Sequence, residues 1–159
     1  MGAEFAAEFD VMYGVAYRAS FAVLGVRAEA EDCAQEALAR ALVRWDKVEP
    51  YAPAWVARVS INLALDAIRS RRRAERLGRV APTAIEETEV AERRRDLAVA
   101  LAALPKRQRE AIVLRYLVDL PEAEAAGAMG CTVGTVKSTV ARGLDRLQTE
   151  LGPWWAWDD

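Results

Sequence analysis

The stretch Gly130-Cys131-Thr132-Val133-Gly134-Thr135-Val136-Lys137-Ser138-Thr139-Val140 decides the fold. Gly130 ends whatever precedes it. Thr132 is a residue type that N-caps a helix, because its hydroxyl can accept from an orphan backbone N–H of the first turn. From there Val133, Val136, Val140, Leu144, Leu147 and Leu151 recur at helical spacing and share one face, which predicts a long helix ending near Leu151. Upstream, Leu97, Leu101 and Leu104 stripe one helix. Pro105 sets up a second with Ile112, Val113, Tyr116 and Leu117 inward, and a short third covers roughly 121–129. Two short helices, a tight Gly-containing turn and a longer helix make a helix-turn-helix. On spacing alone a plain helical hairpin with a polar outer face fits as well.

The same periodicity runs through the rest of the chain. Phe5, Phe9, Met12, Ala16, Val23 and Leu24 predict a first amphipathic helix with Gly25 as its stop. Ala30, Cys33, Ala34, Ala37, Leu38, Ala41, Leu42 and Trp45 predict a second. Residues 46–54 carry Pro50 and Pro53 and read as a loop. A third helix begins near Trp55 and runs into the arginines at 69–73. Residues 78–91 contain Gly78, Pro82 and the acidic Glu86, Glu87 and Glu89, and read as an interdomain linker; Thr83 with Glu86 matches a capping box inside it. No strand alternation and no internal repeat is visible. The prediction is an all-α protein of two small helical domains, residues 1–77 and 92–151, joined by a linker at 78–91 and followed by a Trp-rich acidic tail at 152–159.

Composition excludes much chemistry. Of 159 residues 53% are hydrophobic and 29% charged, the balance of a chain that buries a core. There is no histidine, which removes His-based acid–base catalysis, Ser-His-Asp triads and His-containing zinc sites. Cys33 and Cys131 form no CxxC pair, so a zinc ribbon is excluded and each reads as a small buried hydrophobe. Neither a metal, a cofactor, a small-molecule substrate nor an enzymatic activity is expected. No apolar run of about 18 residues is present, and the N-terminus lacks the basic start and apolar core of a signal peptide. A cytoplasmic protein with no membrane association is the expectation.

The net charge of -2 hides a segregated pattern. Residues 1–57 are net acidic, whereas residues 58–79 hold seven Arg against Asp66 and Glu75. An acidic face followed by an arginine block points to two different partners. At 100° per residue Arg58, Asn62, Asp66, Arg69 and Arg73 share an arc of about 80°, headed by Trp55. Arginines hold phosphates and Asn can pair with a base edge; a solvated face whose arginines complement the helix dipole is the plainer reading. In the last helix Thr135, Ser138, Thr139 and Arg142 fall opposite the apolar face with Lys137 on the flank, small groups that would let a backbone approach a major groove. In the second helix Glu29, Asp32, Gln35, Glu36 and Arg40 line up outside, which taken alone is a solvated acidic face.

Three segments then come together. Ala30-Glu31-Asp32-Cys33-Ala34-Gln35-Glu36-Ala37 resembles a signature of bacterial sigma factors. The run from Trp55 through Asn62 and Asp66 to Arg69 is similar to their promoter-melting helix. Leu104-Pro105-Lys106-Arg107-Gln108-Arg109-Glu110 through Tyr116, with Gly130 through Ser138, resembles their C-terminal DNA-binding domain. Order and spacing resemble the extracytoplasmic-function class of the sigma-70 family across about residues 5–151.

That resemblance implies an RNA polymerase subunit with a sigma-2-like and a sigma-4-like domain, core polymerase and promoter DNA as partners, and an anti-sigma protein as a further one. It implies that Asp32, Gln35 and Glu36 dock on core polymerase. Arg58, Asn62, Asp66 and Arg69 would engage and open the minus-ten element, with Trp55 at the head of the stripe and Arg71, Arg72 and Arg73 on phosphates. The segment 46–54 would capture a flipped base, with Tyr51 as a stacking group. Glu86, Glu87 and Glu89 would run through the polymerase RNA channel. Thr132, Thr135, Lys137, Ser138, Thr139 and Arg142 would face the minus-thirty-five element. The sequence departs from the family where Thr139 replaces a usual Arg, and where Ala125-Ala126-Gly127-Ala128-Met129 lacks the usual Ile and Leu. Two rival readings are a stand-alone helix-turn-helix regulator, and a sigma-like decoy that binds an anti-sigma protein without DNA. The Trp154, Trp155 and Trp157 cluster lies outside the shared pattern; it is expected to fold back over residues 125–129, the rival reading being a dock for polymerase or an anti-sigma protein with Asp158 and Asp159 on basic groups.

Overall fold

The computed structural model describes residues 2–82 and 88–152. Helix α1 (Gly2–Leu24) packs antiparallel to α2 (Arg27–Val43), and α4 (Ala52–Arg76) lies across both. Between α2 and α4 stand the short α3 (Trp45–Val48) and a 3-10 turn (Glu49–Tyr51). The second group is α5 (Glu89–Ala103), α6 (Lys106–Ile112), α7 (Glu122–Met129) and α8 (Val133–Leu151). The described residues contain no strand, and no helix among them is long and apolar enough to cross a membrane.

Small residues let α1, α2 and α4 approach closely. Ala16, Ala19, Ala34, Ala37, Ala41, Ala57 and Ala64 are fully buried, and the larger Met12, Trp45, Ile61 and Leu65 fill the spaces between them. Two buried serines keep their hydroxyls satisfied on backbone carbonyls: Ser60 Oγ donates to Ala16 O (2.7 Å) and Ser20 Oγ to Ala16 O (3.0 Å) and Ala30 O (3.2 Å). These bonds fasten α1 to α4 and to α2.

In the second group the caps follow local chemistry. Gly130 adopts φ +63 and closes α7, with Cys131 N donating back to Ala126 O at 3.1 Å. Thr132 Oγ1 accepts from Thr135 N at 3.1 Å and starts α8. The buried residues of the two groups form one continuous apolar cluster, from Met12 to Leu147.

Several expectations are corrected. Residues 46–54 are helical turns: Pro50 and Pro53 fall at the first two positions of the 3-10 turn and of α4, where a missing N–H costs nothing. Thr88 is the cap of α5, its Oγ1 accepting from Ala91 N at 3.1 Å, so Glu89 is in a helix; the Thr83–Glu86 capping box, Glu86 and Glu87 lie outside the described residues, as does the Trp-rich cluster. Tyr116 is 49% exposed because α6 continues as a π-turn (Val113–Leu117), whose extra residue per turn rotates it outward. Cys33 and Cys131 are only half-buried, and both are free.

Candidate nucleic-acid interface

The acidic face of α2 is presented by Asp32, Gln35 and Glu36, all exposed. Glu36 is held by Arg40 one turn on, Nε to Oε1 2.7 Å. Glu29, expected on the same outer face, instead turns inward and pairs with Arg71 of α4. Beside it, burial pushes the Cys33 thiol above its usual range, with the Asp32 and Glu29 charges adding to the effect.

The stripe on α4 divides along its length. Its distal end is open: Arg72 and Arg73 are exposed, and Arg69 Nη1 lies 3.1 Å from the exposed Asp66 carboxylate. Its head is covered. Trp55 is 9% exposed, Asn62 is half-buried and Arg58 is turned against the second group of helices. Arg58 Nη1 donates to Ala128 O of α7 at 3.3 Å, and its Nε stands 3.6 Å from Oε1 of Glu110. Tyr51, at the end of the 3-10 turn, is half-buried against the core. The stripe is therefore not one uniformly exposed face: α7 packs on α4 at Arg58 and partly covers that side chain.

Glu110 is the residue that sequence reading missed. It is 3% exposed, in α6 between a polar run and an apolar one, and its second oxygen lies 3.4 Å from Arg107 Nη1. Arg107 also donates to Met129 O at 2.7 Å and so ties α6 to the end of α7. The available signal was a carboxylate placed directly before Ala111-Ile112-Val113-Leu114, where an unpaired charge would be costly to bury. A second missed feature is the row Phe5, Phe9, Tyr13, Tyr17 and Phe21 on α1, four residues apart, with neighbouring ring centroids 5.5 to 6.3 Å apart. The Arg94 guanidinium of α5 sits 5.3 Å above Phe21 and closes that row.

On α8 the buried face comprises Val136, Thr139, Gly143 and Leu147. Thr139 is 5% exposed and cannot face a DNA groove, which corrects its expected place. The cause is Gly143, which lets Ile112 of α6 approach and rotates α8 relative to its apolar stripe. Thr135, Lys137, Ser138 and Arg142 remain exposed. Thr132 is exposed too, but its hydroxyl is committed to the cap and lies 3.0 Å from Thr135 Oγ1. Lys137 Nζ lies 3.6 Å from the Glu122 carboxylate of α7. Among the described residues no group of His, Cys, Asp and Glu is placed to hold a metal ion.

Two family models match the chain: Sigma-70 region 2 over residues 7–74 and Sigma-70, region 4 over residues 94–147. The RNA polymerase sigma-E factor of Streptomyces antibioticus is 38% identical over 127 residues, covering 77% of this chain and 71% of that protein. The ECF RNA polymerase sigma factor SigW of Bacillus subtilis is 31% identical over 165 residues, covering 92% and 88%. Among solved structures, the sigma factor RpoE in complex with the anti-sigma factor NepR from Bartonella quintana matches with a TM-score of 0.54 at 25% identity, covering 92% of this chain and 96% of that one. CnrH in complex with the cytosolic domain of CnrY matches with a TM-score of 0.50 at 26% identity, covering 94% and 86%.

Proposed function

The chain belongs to the extracytoplasmic-function class of the sigma-70 family, and from that premise we propose how its surfaces divide the family's work. It is an RNA polymerase sigma factor that binds core polymerase and directs initiation at promoters. We assign core docking to the exposed face of Asp32, Gln35 and Glu36. We assign the minus-ten element to α4, through Arg58, Asn62, Asp66 and Arg69, with Trp55 and Tyr51 beside them and Arg71, Arg72 and Arg73 on phosphates. We assign the minus-thirty-five element to the exposed start of α8, through Thr135, Lys137, Ser138 and Arg142, with Thr132 as the cap that fixes the helix start. The units that carry these roles are residues 1–77 and 92–151.

The observation that carries this reading is the succession of region 2 and region 4 in one chain, with an acidic exposed face on the first and a basic run at the end of α4. A stand-alone helix-turn-helix regulator leaves the region 2 match over residues 7–74 without a role. A decoy without DNA binding leaves the exposed Arg72, Arg73 and Arg142 without one. A similar solved sigma factor is in complex with an anti-sigma factor, and we extend that class of partner to this chain. Working on polymerase, it acts in the cytoplasm and supplies binding rather than a reaction of its own. Run-off transcription with core polymerase on genomic fragments tests the function: discrete transcripts appear only when the chain is added. Absence of transcripts, with no chain retained by core polymerase in a pull-down, overturns it.

A further inference from the structure

We propose that the cleft at the corner between α1 and α2, walled by α4 and α5, is a binding site for a small organic anion: a phosphate monoester on an aliphatic chain. The cleft has a volume of about 420 Å³, within the range of about 300–1,000 Å³ usual for small-ligand sites. Its floor is aliphatic. Val23, Leu24 and Val26 come from the corner between α1 and α2, Ile68 from α4, and Ala91 and Ala98 from α5. Val26 is 47% exposed, an apolar side chain that the fold leaves uncovered. No aromatic side chain lines the cleft among the described residues. The floor therefore suits a saturated chain better than a nucleotide base, which gains most from stacking on a ring.

The walls are basic. Arg71 and Arg72 stand on α4 and Arg94 and Arg95 on α5, with Glu75 as the one lining carboxylate among the described residues. Two of the four guanidinium groups are committed, Arg71 to Glu29 and Arg94 to the ring of Phe21. Gly25 keeps Arg94 at the cleft: its φ is +64, and a Cβ there would overlap the Arg94 guanidinium. Arg72 and Arg95 are bonded to no acceptor among the described residues, and Arg95 is half-buried. A half-buried guanidinium has given up part of its water and gains from an anion that replaces it. A phosphate monoester carries close to two charges at neutral pH and presents three acceptor oxygens, enough for Arg72 and Arg95 together. A carboxylate has one charge for the two. In the proposed site the phosphate lies between Arg72 and Arg95, and the chain runs over Ile68, Val23 and Val26.

The test titrates octyl phosphate, below its micelle threshold, into the full chain in a calorimeter. Binding should saturate and carry a negative heat-capacity change, the mark of buried apolar surface. Hexyl phosphate should bind about tenfold more weakly, as two fewer buried methylenes imply. Inorganic phosphate and octanol, each with half of the ligand's chemistry, should both bind far more weakly still. Arg95→Gln should weaken octyl phosphate by about tenfold through the lost charge-assisted bond. Val26→Asp, which sets a carboxylate at the floor, should weaken it by about as much. Arg40→Gln, on the outer face of α2, should leave the affinity unchanged and so separates the cleft from any exposed arginine. Absence of saturable binding overturns the proposal, as does an affinity that inorganic phosphate or octanol equals. Unchanged affinity in both Arg95→Gln and Val26→Asp overturns it as well, and if one of them loses helicity the other decides. Tighter binding of guanosine diphosphate than of octyl phosphate would make the site a nucleotide site and overturn the aliphatic assignment. Binding is read on the chain without polymerase or DNA, so its outcome is separate from that of the run-off experiment.

Discussion

Ile112 lies where a side chain on Gly143 would begin: a Cβ there would stand 3.0 Å from Ile112 Cγ1 and 3.3 Å from its Cδ1. Ile112 is itself buried, so it has little room to retreat. The contact sets the crossing of α6 over α8 and, through it, which residues of α8 face outward. Gly143→Ala should gain up to about 1 kcal/mol of helix propensity and lose about 1–3 kcal/mol to overpacking. The net expectation is a loss of about 1 kcal/mol, seen as a melting temperature lower by about 2–4 °C. A higher melting temperature would show that α6 can move away.

Gly127 supplies the opposite sign within the same group of helices. It lies inside α7, is exposed, and a Cβ there meets nothing within 4 Å. Gly127→Ala should therefore stabilise by up to about 1 kcal/mol, from helix propensity and reduced freedom of the unfolded chain. Urea unfolding checks it: the midpoint should rise with an unchanged slope.

Docking on polymerase is assigned to side chains that make no core contacts. Asp32→Ala with Glu36→Ala should leave the melting temperature within about 1 °C, since a surface pair such as Glu36–Arg40 contributes little. Affinity for core polymerase should fall at least about tenfold, or 1.4 kcal/mol. Equal retention of the folded variant and the unmodified chain on immobilised core polymerase would remove the assignment.

The arginine block is not uniform, and salt dependence should show it. Arg72 and Arg73 are exposed, whereas Arg71 is drawn to Glu29 of α2. Arg72→Ala with Arg73→Ala should flatten the dependence of log affinity on log salt by nearly two units of slope, about 0.9 per phosphate contact on duplex DNA. Arg71→Ala should change the slope less. Titrations of the holoenzyme on promoter DNA at several salt concentrations separate these outcomes.

What sequence could and could not reveal follows the range of the forces involved. The α1 stop at Gly25 and the Thr132 cap were legible because both are settled by neighbours within a turn. The helical character of 46–54 was not: Pro50 and Pro53 signal a break, and only their position in the first turn makes them compatible with helix. The rotation of α8 was hidden because Gly143 adds nothing to an apolar count, although its lack of a side chain fixes the packing. The partial covering of Arg58 was hidden because it depends on α7, folded from residues some seventy positions away. The stripe itself, the acidic face of α2 and the exposed start of α8 were legible as faces; which members stay available was decided by tertiary contact.

The rotation of α8 gives the last prediction. Thr139 and Arg142 are three residues apart and share a face on a simple helical wheel, yet Thr139 is 5% exposed and Arg142 is exposed. Thr139 shares its buried face with Val136, Gly143 and Leu147, so Thr139→Val replaces a hydroxyl by a methyl group in largely apolar surroundings. Promoter affinity should stay within about twofold for that variant, with stability equal or slightly higher. Arg142→Ala should instead weaken promoter binding by about 1–3 kcal/mol if its guanidinium reads a guanine edge. If it holds a phosphate, the loss should be similar on every sequence, with a salt slope reduced by about one. Comparing cognate promoter DNA with a duplex altered in the minus-thirty-five element distinguishes these two roles of Arg142. A Thr139→Val variant that retains its fold but loses promoter discrimination would mean that α8 turns this face toward DNA, contrary to the packing set by Ile112 and Gly143.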